Sequence, residues 1–469
     1  MLDTAIRNAT IITAGDRYTA QIGIKNGRIT AIAEDVGPAA EEIDAAGMWV
    51  MPGGIDAHVH LEQPQGEDVV MADGFESGTR SAAAGGTTMV MPFALQQKGQ
   101  SLREVVEAYH AAARGKCYVD CSFHIIITDP TPSVLGQELP ALVKAGYTSF
   151  KVFMTYDDMV LNDAQLLDVF DAARRERAMV MVHAEGYDAI RYMTRKLEEA
   201  GRTAPYYHAA SRPESVEREA THRAISHAEL TDVPIMIVHV SGREPMEQIQ
   251  WAKRRGRNVY AETCPQYIAL TADDLKGLNM DFEGAKYVCS PPPRDADSQT
   301  AIWEGLRDGT FDIFSSDHCP FRFEDPMGKS LERGRTSFRW VPNGIPGVET
   351  RLPLLFSEGI SKGRISAERF VALTATNPAR LFGMYPQKGT IAIGADADLT
   401  LWDPAREITI SQSLMHHACD YTPYEGMVVT GWPVRTILRG RTIMLDGEVT
   451  GTPAGAYVDR GISGAFGGA

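Results

Sequence analysis

Apolar runs of strand length alternate along this chain with amphipathic segments, and this alternation constrains the fold more than any other feature. Eight such runs occur, at 51–58, 86–92, 120–127, 147–153, 178–183, 234–240, 257–262 and 311–317. Helical patterns with apolar residues at three- and four-residue spacing lie between most of them, at 101–114, 164–177, 214–229 and 244–255. Strands that are apolar on both faces and alternate with helices predict a parallel (β/α)8 barrel of the TIM type.

Short segments of alternating polarity remain at both ends of the chain. They lie in residues 1–50 and again from about residue 386 onward. Because neither end alone has enough residues to form its own hydrophobic core, we expect the two ends to pair in one small β-sandwich. The predicted domains are therefore 1–50 plus 386–469 for the β-sandwich and 51–385 for the barrel. A chain of 469 residues is long enough for both.

Side chains suited to metal binding stand at the carboxyl ends of the first, fourth, fifth, sixth and eighth predicted strands. In that order they are His58 and His60, Lys151, His183, His239 and Asp317. The carboxyl ends of barrel strands meet at one face, where several strands can contribute to a common centre. The pattern predicts a hydrolase centre with two metal ions.

The two histidines of the first run are separated by one residue. On an extended strand, His58 and His60 project from the same face and can reach one ion. Neutral imidazole suits zinc and neighbouring divalent metals, but one pair leaves the coordination sphere incomplete. A hydrogen-bonded histidine near a strand end is the alternative for each residue taken singly. The placement of the whole set favours metal binding.

Several motifs across nearly the whole chain resemble the cyclic-amidase branch of the amidohydrolase superfamily, most closely the dihydropyrimidinase and D-hydantoinase family. They are PGGIDAHVH, FESGTRSAAAGGTT, SFKVFMTY, VHAEG, VHVSG, ETCPQY, KYVCSPPPR, SSDHCPF, PNGIPGVETR and GTIAIGADADLTLWDP. SSDHCPF is particularly discriminating, because allantoinases and dihydroorotases usually have a different residue pair after the Asp-His. The resemblance implies the barrel, the domain formed by both termini and a ring-opening hydrolase.

The resemblance also implies how the metals are held. His58 and His60 would bind one ion with Asp317, and His183 and His239 would bind the other. Zinc is the default, with manganese, cobalt or iron as alternatives. Lys151 would react with carbon dioxide and become N6-carboxylysine, a carbamate that bridges both ions; an ammonium would instead be repelled by them. A buried lysine deprotonates readily, as this reaction requires.

Catalytic and substrate-binding roles follow from the same resemblance. Asp317 would shuttle the proton from the attacking water to the departing ring nitrogen, and Tyr156 would contact the substrate and stabilise the oxyanion. Main-chain groups of Ser290 and Asn343 would bind the polar edge of the ring. Without the family, both of these segments are read as ordinary turns.

The predicted substrate is a small cyclic ureide or imide. Opening of dihydropyrimidines or hydantoins to N-carbamoyl amino acids is favoured. The alternatives are an allantoinase or cyclic-imide hydrolase with the same metals, or a non-catalytic interaction protein related to dihydropyrimidinase. The loop 61–71 is polar and acidic, which indicates either a polar substituent on the substrate or a solvated lid.

Charge and cysteine usage limit the other partners. A formal net charge of −15 argues against nucleic acid and anionic membranes. No leader or span-length apolar stretch is evident, and six irregularly spaced cysteines do not resemble a disulfide framework. We therefore expect a cytoplasmic protein with reduced thiols. A homotetramer or dimer is implied by the resemblance alone.

Overall fold

The computed structural model describes residues 1–467, in which strands and helices alternate through the central part of the chain. The strands are β1 (Leu2–Ile12), β2 (Arg17–Lys25), β3 (Arg28–Ala33), β4 (Ala39–Asp44), β5 (Trp49–Pro52), β6 (Gly54–Val59), β7 (Thr87–Leu95), β8 (Asp120–Cys121), β9 (His124–Ile126), β10 (Ser149–Phe153), β11 (Met179–His183), β12 (Ile235–Ile237), β13 (Val259–Thr263), β14 (Ile313–Phe314), β15 (Leu399–Thr409), β16 (Val428–Leu438), β17 (Arg441–Leu445) and β18 (Glu448–Val449).

The α-helices cover the outside of the barrel and fill the connections around it. They are α1 (Phe75–Ala84), α2 (Leu102–Ala113), α3 (Leu139–Lys144), α4 (Asp163–Glu176), α5 (Tyr187–Glu199), α6 (Tyr206–Ser211), α7 (Glu214–Thr231), α8 (Arg243–Arg254), α9 (Gln266–Ala269), α10 (Ala296–Asp308), α11 (Arg351–Leu355), α12 (Ala367–Val371) and α13 (Asn377–Leu381). Short π-helical segments adjoin α3, α11, α12 and α13. No helix within residues 1–467 combines the length and the apolarity needed to cross a bilayer.

Eight parallel strands form the predicted barrel. Their order is β6-β7-β9-β10-β11-β12-β13-β14, and β8 adds a short pairing to β7. A bridge between Val59 and His318 joins the last strand region back to the first. The four helical patterns recognised in the sequence correspond to α2, α4, α7 and α8, each within a few residues. The predicted fold class is therefore confirmed.

The first predicted strand, 51–58, is divided in the structure. Met51 and Pro52 belong to β5, which pairs with β15 in the terminal sheet, whereas the barrel strand β6 begins at Gly54. Gly53 lies where the chain passes from one sheet to the other, and a Cβ there would come within 2.2 Å of the Thr88 side chain. A continuous apolar run in the sequence does not reveal such a change of sheet, because both of its parts are buried.

The terminal strands form one nine-stranded mixed sheet, in the order β18-β17-β16-β15-β5-β1-β2-β3 with β4 paired to β1. The two chain ends meet where β5 lies between β1 and β15. Apolar side chains from both ends, including Ile11, Val50 and Leu399, form one buried cluster. The predicted small β domain built from both termini is confirmed. Its limits at 50 and 386 stay a prediction, and the last two residues of 386–469 lie outside the described residues.

A buried lysine joins the terminal sheet to the barrel. Nζ of Lys388 lies 2.6 Å from carboxylate oxygens of Asp120 in β8 and Asp398, and 3.0 Å from Asp396. Although burial alone would lower it, the Asp398 and Asp120 carboxylates raise the pKa of Lys388 above its usual value. The cluster therefore keeps a buried cation at the junction of the two sheets.

We expect Lys388→Met to destabilise the protein by about 3–5 kcal/mol, because three largely buried carboxylates would lose their common cation. Thermal denaturation of the purified variant measures this as a lower Tm. Lys362→Met is the matched control: Lys362 is exposed and paired with Glu358 four residues away, so its loss should cost less than about 0.5 kcal/mol. Equal Tm values for both variants would contradict a stabilising role for Lys388.

Candidate metal centre

Strand periodicity places the predicted ligands inside the barrel. In β11, Met179 and Met181 belong to the interior cluster and Val180 and Val182 to the outer one, so His183 at the end of the strand continues the inward row. In β10 the same alternation gives the inward position to Lys151, between two outward residues. All six predicted ligands are buried, at 8% exposure or less.

Three of the six converge closely. One ligand atom each from His58, His60 and Asp317 lies within 4.8 Å of the other two. Oδ1 of Asp317 is 3.2 Å from Nε2 of His58 and 3.5 Å from Nε2 of His60. These distances allow the two imidazoles and the carboxylate to share one ion.

The other two histidines form a second pair beside the first group. Nε2 of His239 lies 3.0 Å from Nδ1 of His183, and the His239 ring centroid is 5.4 Å from that of His58. Lys151 lies next to the first group, with Nζ 3.4 Å from Nε2 of His58. The structure thus brings all six predicted residues into one buried centre.

Polar groups behind three imidazoles orient them toward the centre. Nδ1 of His58 donates to Glu262 Oε1 at 2.7 Å, and Nδ1 of His60 pairs with Gln63 Oε1. Because each Nδ1 carries the proton in these bonds, Nε2 of both rings presents a lone pair to the centre. Such outer partners fix the tautomer of metal-binding histidines.

His183 is oriented in the opposite sense. Its Nε2 donates to Glu185 Oε2 at 2.7 Å, and Arg212 contacts the same oxygen at 2.8 Å. Although burial works against ionisation, Arg212 and the His183 bond lower the pKa of Glu185 to about 2. The charged carboxylate keeps the proton on Nε2, so Nδ1 of His183, which faces Nε2 of His239, carries a lone pair that can bind a metal ion.

The electrostatics of the centre suit a cation with neutral nitrogen ligands. Burial, followed by the Lys151 charge, holds the pKa of His58 well below its usual range, and burial likewise lowers the pKa of His183 and His239. Nδ1 of His239 is buried and has no hydrogen-bond partner within the described part of the chain. Imidazoles must be neutral to bind metal, and nitrogen and carboxylate donors together match a divalent transition metal. The residues present therefore fit a metal centre.

Lys151 has the surroundings expected of a reactive amine. Its side chain is 1% exposed, and burial lowers its pKa to about 8 despite the nearby Glu262 and Asp317 carboxylates. About a tenth of the amine is then neutral at pH 7, far more than for an ordinary lysine. A side chain this buried differs from an ordinary surface lysine, whose ammonium reaches water.

Three residues of the site have left-handed backbone geometry. The φ angles are +71° at Tyr156, +41° at His239 and +51° at Asp317. Such conformations are unfavourable for residues with a side chain and persist where surrounding contacts impose them. They turn the chain sharply at the strand ends and direct these side chains into the centre.

A cavity of about 520 Å³ opens beside the centre. Its walls include Tyr156, His208, Arg212 and Asn343. Burial raises the pKa of the Tyr156 phenol above its usual value, so its hydroxyl remains a hydrogen-bond donor. Ser290 is 7% exposed, with Oγ 3.2 Å from Nε2 of His208. Two of the predicted substrate-contacting residues, Tyr156 and Asn343, therefore line one cavity, and Ser290 contacts its wall at His208.

The sequence analysis missed several of the orienting groups. Glu262 lies near the end of β13, the seventh barrel strand, to which no function was assigned, and its Oε1 also accepts from the main-chain N of His239 at 3.1 Å. An acidic residue at that strand end was a usable signal. The sequence contains no comparable signal for Glu185, which lies two residues after His183, or for Arg212.

The polar loop 61–71 makes contacts that its composition did not reveal. Gln63 is 6% exposed and bonds to His60, so it supports the metal centre. Glu62 accepts from the main-chain N of Phe75 at the start of α1 and pairs with Lys116. These two polar residues serve the protein's own structure, and neither lines the cavity beside Tyr156.

A sequence model of the Amidohydrolase family matches residues 49–443. The chain belongs to this family. The amidohydrolase is 48% identical over 453 residues to D-hydantoinase of Rhizobium radiobacter, covering 96% of this chain and 97% of that protein. It is 47% identical over 461 residues to D-hydantoinase of Ralstonia pickettii, covering 98% of this chain and 99% of that protein.

Solved structures of related proteins superpose well on this amidohydrolase. A D-hydantoinase structure superposes with a TM-score of 0.94 at 47% identity, covering 98% of this chain and 99% of the other. The crystal structure of dihydropyrimidinase from Brevibacillus agri superposes with a TM-score of 0.95 at 43% identity. The match covers 98% of this chain and 99% of the other. The predicted family resemblance is confirmed.

Proposed function

We propose that this amidohydrolase opens the cyclic amide bond of dihydropyrimidines or hydantoins and releases N-carbamoyl amino acids. The observation that carries the proposal is the buried group of four imidazoles, Asp317 and Lys151 beside a cavity that contains Tyr156. Full-length similarity to proteins named D-hydantoinase supports the substrate class. The predicted cytoplasmic location accords with six free thiols; a homo-oligomer, tetramer or dimer, stays a prediction.

Two divalent ions, with zinc as the default, would be held by His58, His60 and Asp317 on one side and His183 and His239 on the other. When bound, they supply an activated water near neutral pH and polarise the carbonyl that is attacked. Lys151 would hold both through its carbamate. The neutral Nζ would attack the carbon of carbon dioxide; a C–N bond forms as one C=O π bond opens onto oxygen, and one proton leaves the nitrogen, so a neutral amine becomes an anionic ligand.

The protein's own groups would perform the proton transfers and orient the ring. Asp317 accepts the proton of the attacking water on a carboxylate oxygen and delivers it to the ring nitrogen as the C–N bond breaks. The Tyr156 hydroxyl donates to the carbonyl oxygen as negative charge develops there. Main-chain groups at Ser290 and Asn343 bind the polar edge of the ring and hold the scissile bond in place.

Parallel assays of five rings test the substrate class. Purified, metal-loaded protein is assayed with dihydrouracil, hydantoin, a 5-aryl hydantoin, allantoin and succinimide, and kcat/KM is compared. We expect dihydrouracil or a hydantoin to give the highest value. Higher values for allantoin or succinimide would favour the alternative hydrolases. Failure to open any of the five with metals bound would contradict the proposal and favour a non-catalytic interaction protein.

Tyr156→Phe is expected to lower kcat by about 10²–10³-fold, because it removes one donor to the developing oxyanion. KM and metal content should change little, since the phenol is not a proposed metal ligand. Tyr192→Phe is the matched control: Tyr192 is exposed and lines the same cavity farther out. A Tyr156→Phe enzyme with the kcat of the Tyr192→Phe enzyme would exclude this role.

A further inference from the structure

A third buried lysine, Lys329, has no proposed role at the metal site and no carboxylate partner among residues 1–467. Its side chain is fully buried, and Nζ donates to the main-chain carbonyl oxygens of Val288 and Pro342, both at 2.7 Å. Val288 lies two residues before Ser290, and Pro342 lies one residue before Asn343. One amine thus connects the two segments proposed to bind the ring.

Neighbouring contacts show that these segments are fixed around Lys329. The main-chain N of Gly344 donates to Val288 O at 3.0 Å, which links the two segments directly. The next carbonyl, that of Cys289, accepts from Nε2 of His208 at 2.9 Å. The carbonyls just before Ser290 and Asn343 are therefore held by the protein, and Lys329 adds a second link between the two segments.

A purely structural lysine would be expected to have different surroundings. Lys388, the comparable buried lysine, is held by three carboxylates. Lys329 has only carbonyl partners among the described residues, and burial lowers its pKa to about 7. Even a neutral amine has two N–H groups, enough for both carbonyls. Burying an unpaired amine is costly, so its retention needs a reason beyond packing.

We infer that Lys329 is a positioning residue that sets the distance between the main chain at Ser290 and at Asn343, and so adapts the site to the polar edge of a cyclic ureide. The inference rests on the proposed function, because it takes these two segments as the ring-binding groups. Lys329 touches neither the metal centre nor the substrate. Its loss should therefore weaken ring binding more than it slows the chemical step.

Lys329→Met tests this inference, since methionine has a similar length and no donor. We expect KM for hydantoin or dihydrouracil to rise about tenfold or more, because two strong hydrogen bonds to main-chain carbonyls are lost. The change in kcat should be smaller, and metal content should equal that of the wild type. Lys388→Met is the matched buried-lysine control, with a lower Tm and an unchanged KM.

Lys329→Ala provides a second test that does not depend on the methionine variant. Propylammonium supplies the missing three carbons and the amine, so it should lower the raised KM in a concentration-dependent way. Tetramethylammonium, which has no N–H donor, should have no effect. A KM in Lys329→Met equal to the wild-type value would overturn the inference, and so would a KM in Lys329→Ala that does not respond to propylammonium.

Failure of the proposed function would appear in the wild-type assays with the five rings, not in the Lys329 variants. A wild-type protein that opens none of the five rings contradicts the function and the inference together. A wild-type enzyme that opens hydantoin or dihydrouracil, combined with an unchanged KM in the Lys329 variants, contradicts the inference alone. If allantoin or succinimide is the better substrate, the same KM comparison is made with that ring and decides the role of Lys329.

Discussion

Lys151→Ala is expected to abolish ring opening, with kcat/KM lower by about 10³-fold or more, since metal-assisted charge stabilisation contributes several kcal/mol. The lysine is 1% exposed and its Nζ lies 3.4 Å from Nε2 of His58, so an alanine leaves a gap at the centre. Metal content, measured by plasma mass spectrometry on the purified variant, should fall below the wild-type value.

Added short-chain carboxylic acids should partly restore the activity of Lys151→Ala. Acetate or propionate can supply the two oxygens that the carbamate would present. In the wild type, growth or incubation with ¹³C-bicarbonate should give a carbamate signal in the ¹³C spectrum of the protein. Lys144→Ala, at an exposed lysine of α3, is the control and should retain full activity. A fully active enzyme with an unmodified Lys151 would refute the carbamate.

Asp317→Asn is expected to lower kcat by about 10²–10⁴-fold, the range for loss of a positioned acid–base group. The amide is nearly isosteric and keeps one oxygen toward His58 and His60, but it cannot accept the proton from water. Metal content and kcat are measured together on the same preparation. Asp308→Asn, at the exposed end of α10, is the matched control and should behave as the wild type.

Metal content separates the two roles of Asp317. A large loss of kcat with wild-type metal content supports proton transfer by this carboxylate. Loss of activity in proportion to loss of metal would assign Asp317 to metal binding alone. A kcat within a few-fold of the control, with metals retained, would contradict both the proton shuttle and the expected reaction sequence.

The fold was predictable because its signals are local. An eight-fold alternation of apolar runs and amphipathic segments specifies strands, helices and hence a parallel barrel without any knowledge of distant contacts. The division of 51–58 between β5 and β6 was not predictable, because both sheets bury the strand residues that they take from this run. A chain can change sheets at Gly53 without any change in polarity.

Strand ends also made the residues of the buried centre predictable. His58, Lys151, His183 and His239 were identified from their positions at strand ends, and barrel geometry brings such ends together. The resemblance to cyclic amidases added the expected roles of Tyr156, Ser290 and Asn343. None of these inferences required knowledge of which residues contact one another.

The sequence by itself determined the barrel, the pairing of the termini and the residues at the centre, since each depends on periodicity within a short stretch of chain. Only the tertiary structure identified the groups that orient the imidazoles of the centre and the lysine that contacts the two predicted ring-binding segments. Glu262 lies 204 residues from His58, and Lys329 joins carbonyls 41 and 13 residues away. Hydrogen bonds across such separations leave no period in the sequence, because their partners are brought together by packing of the whole barrel.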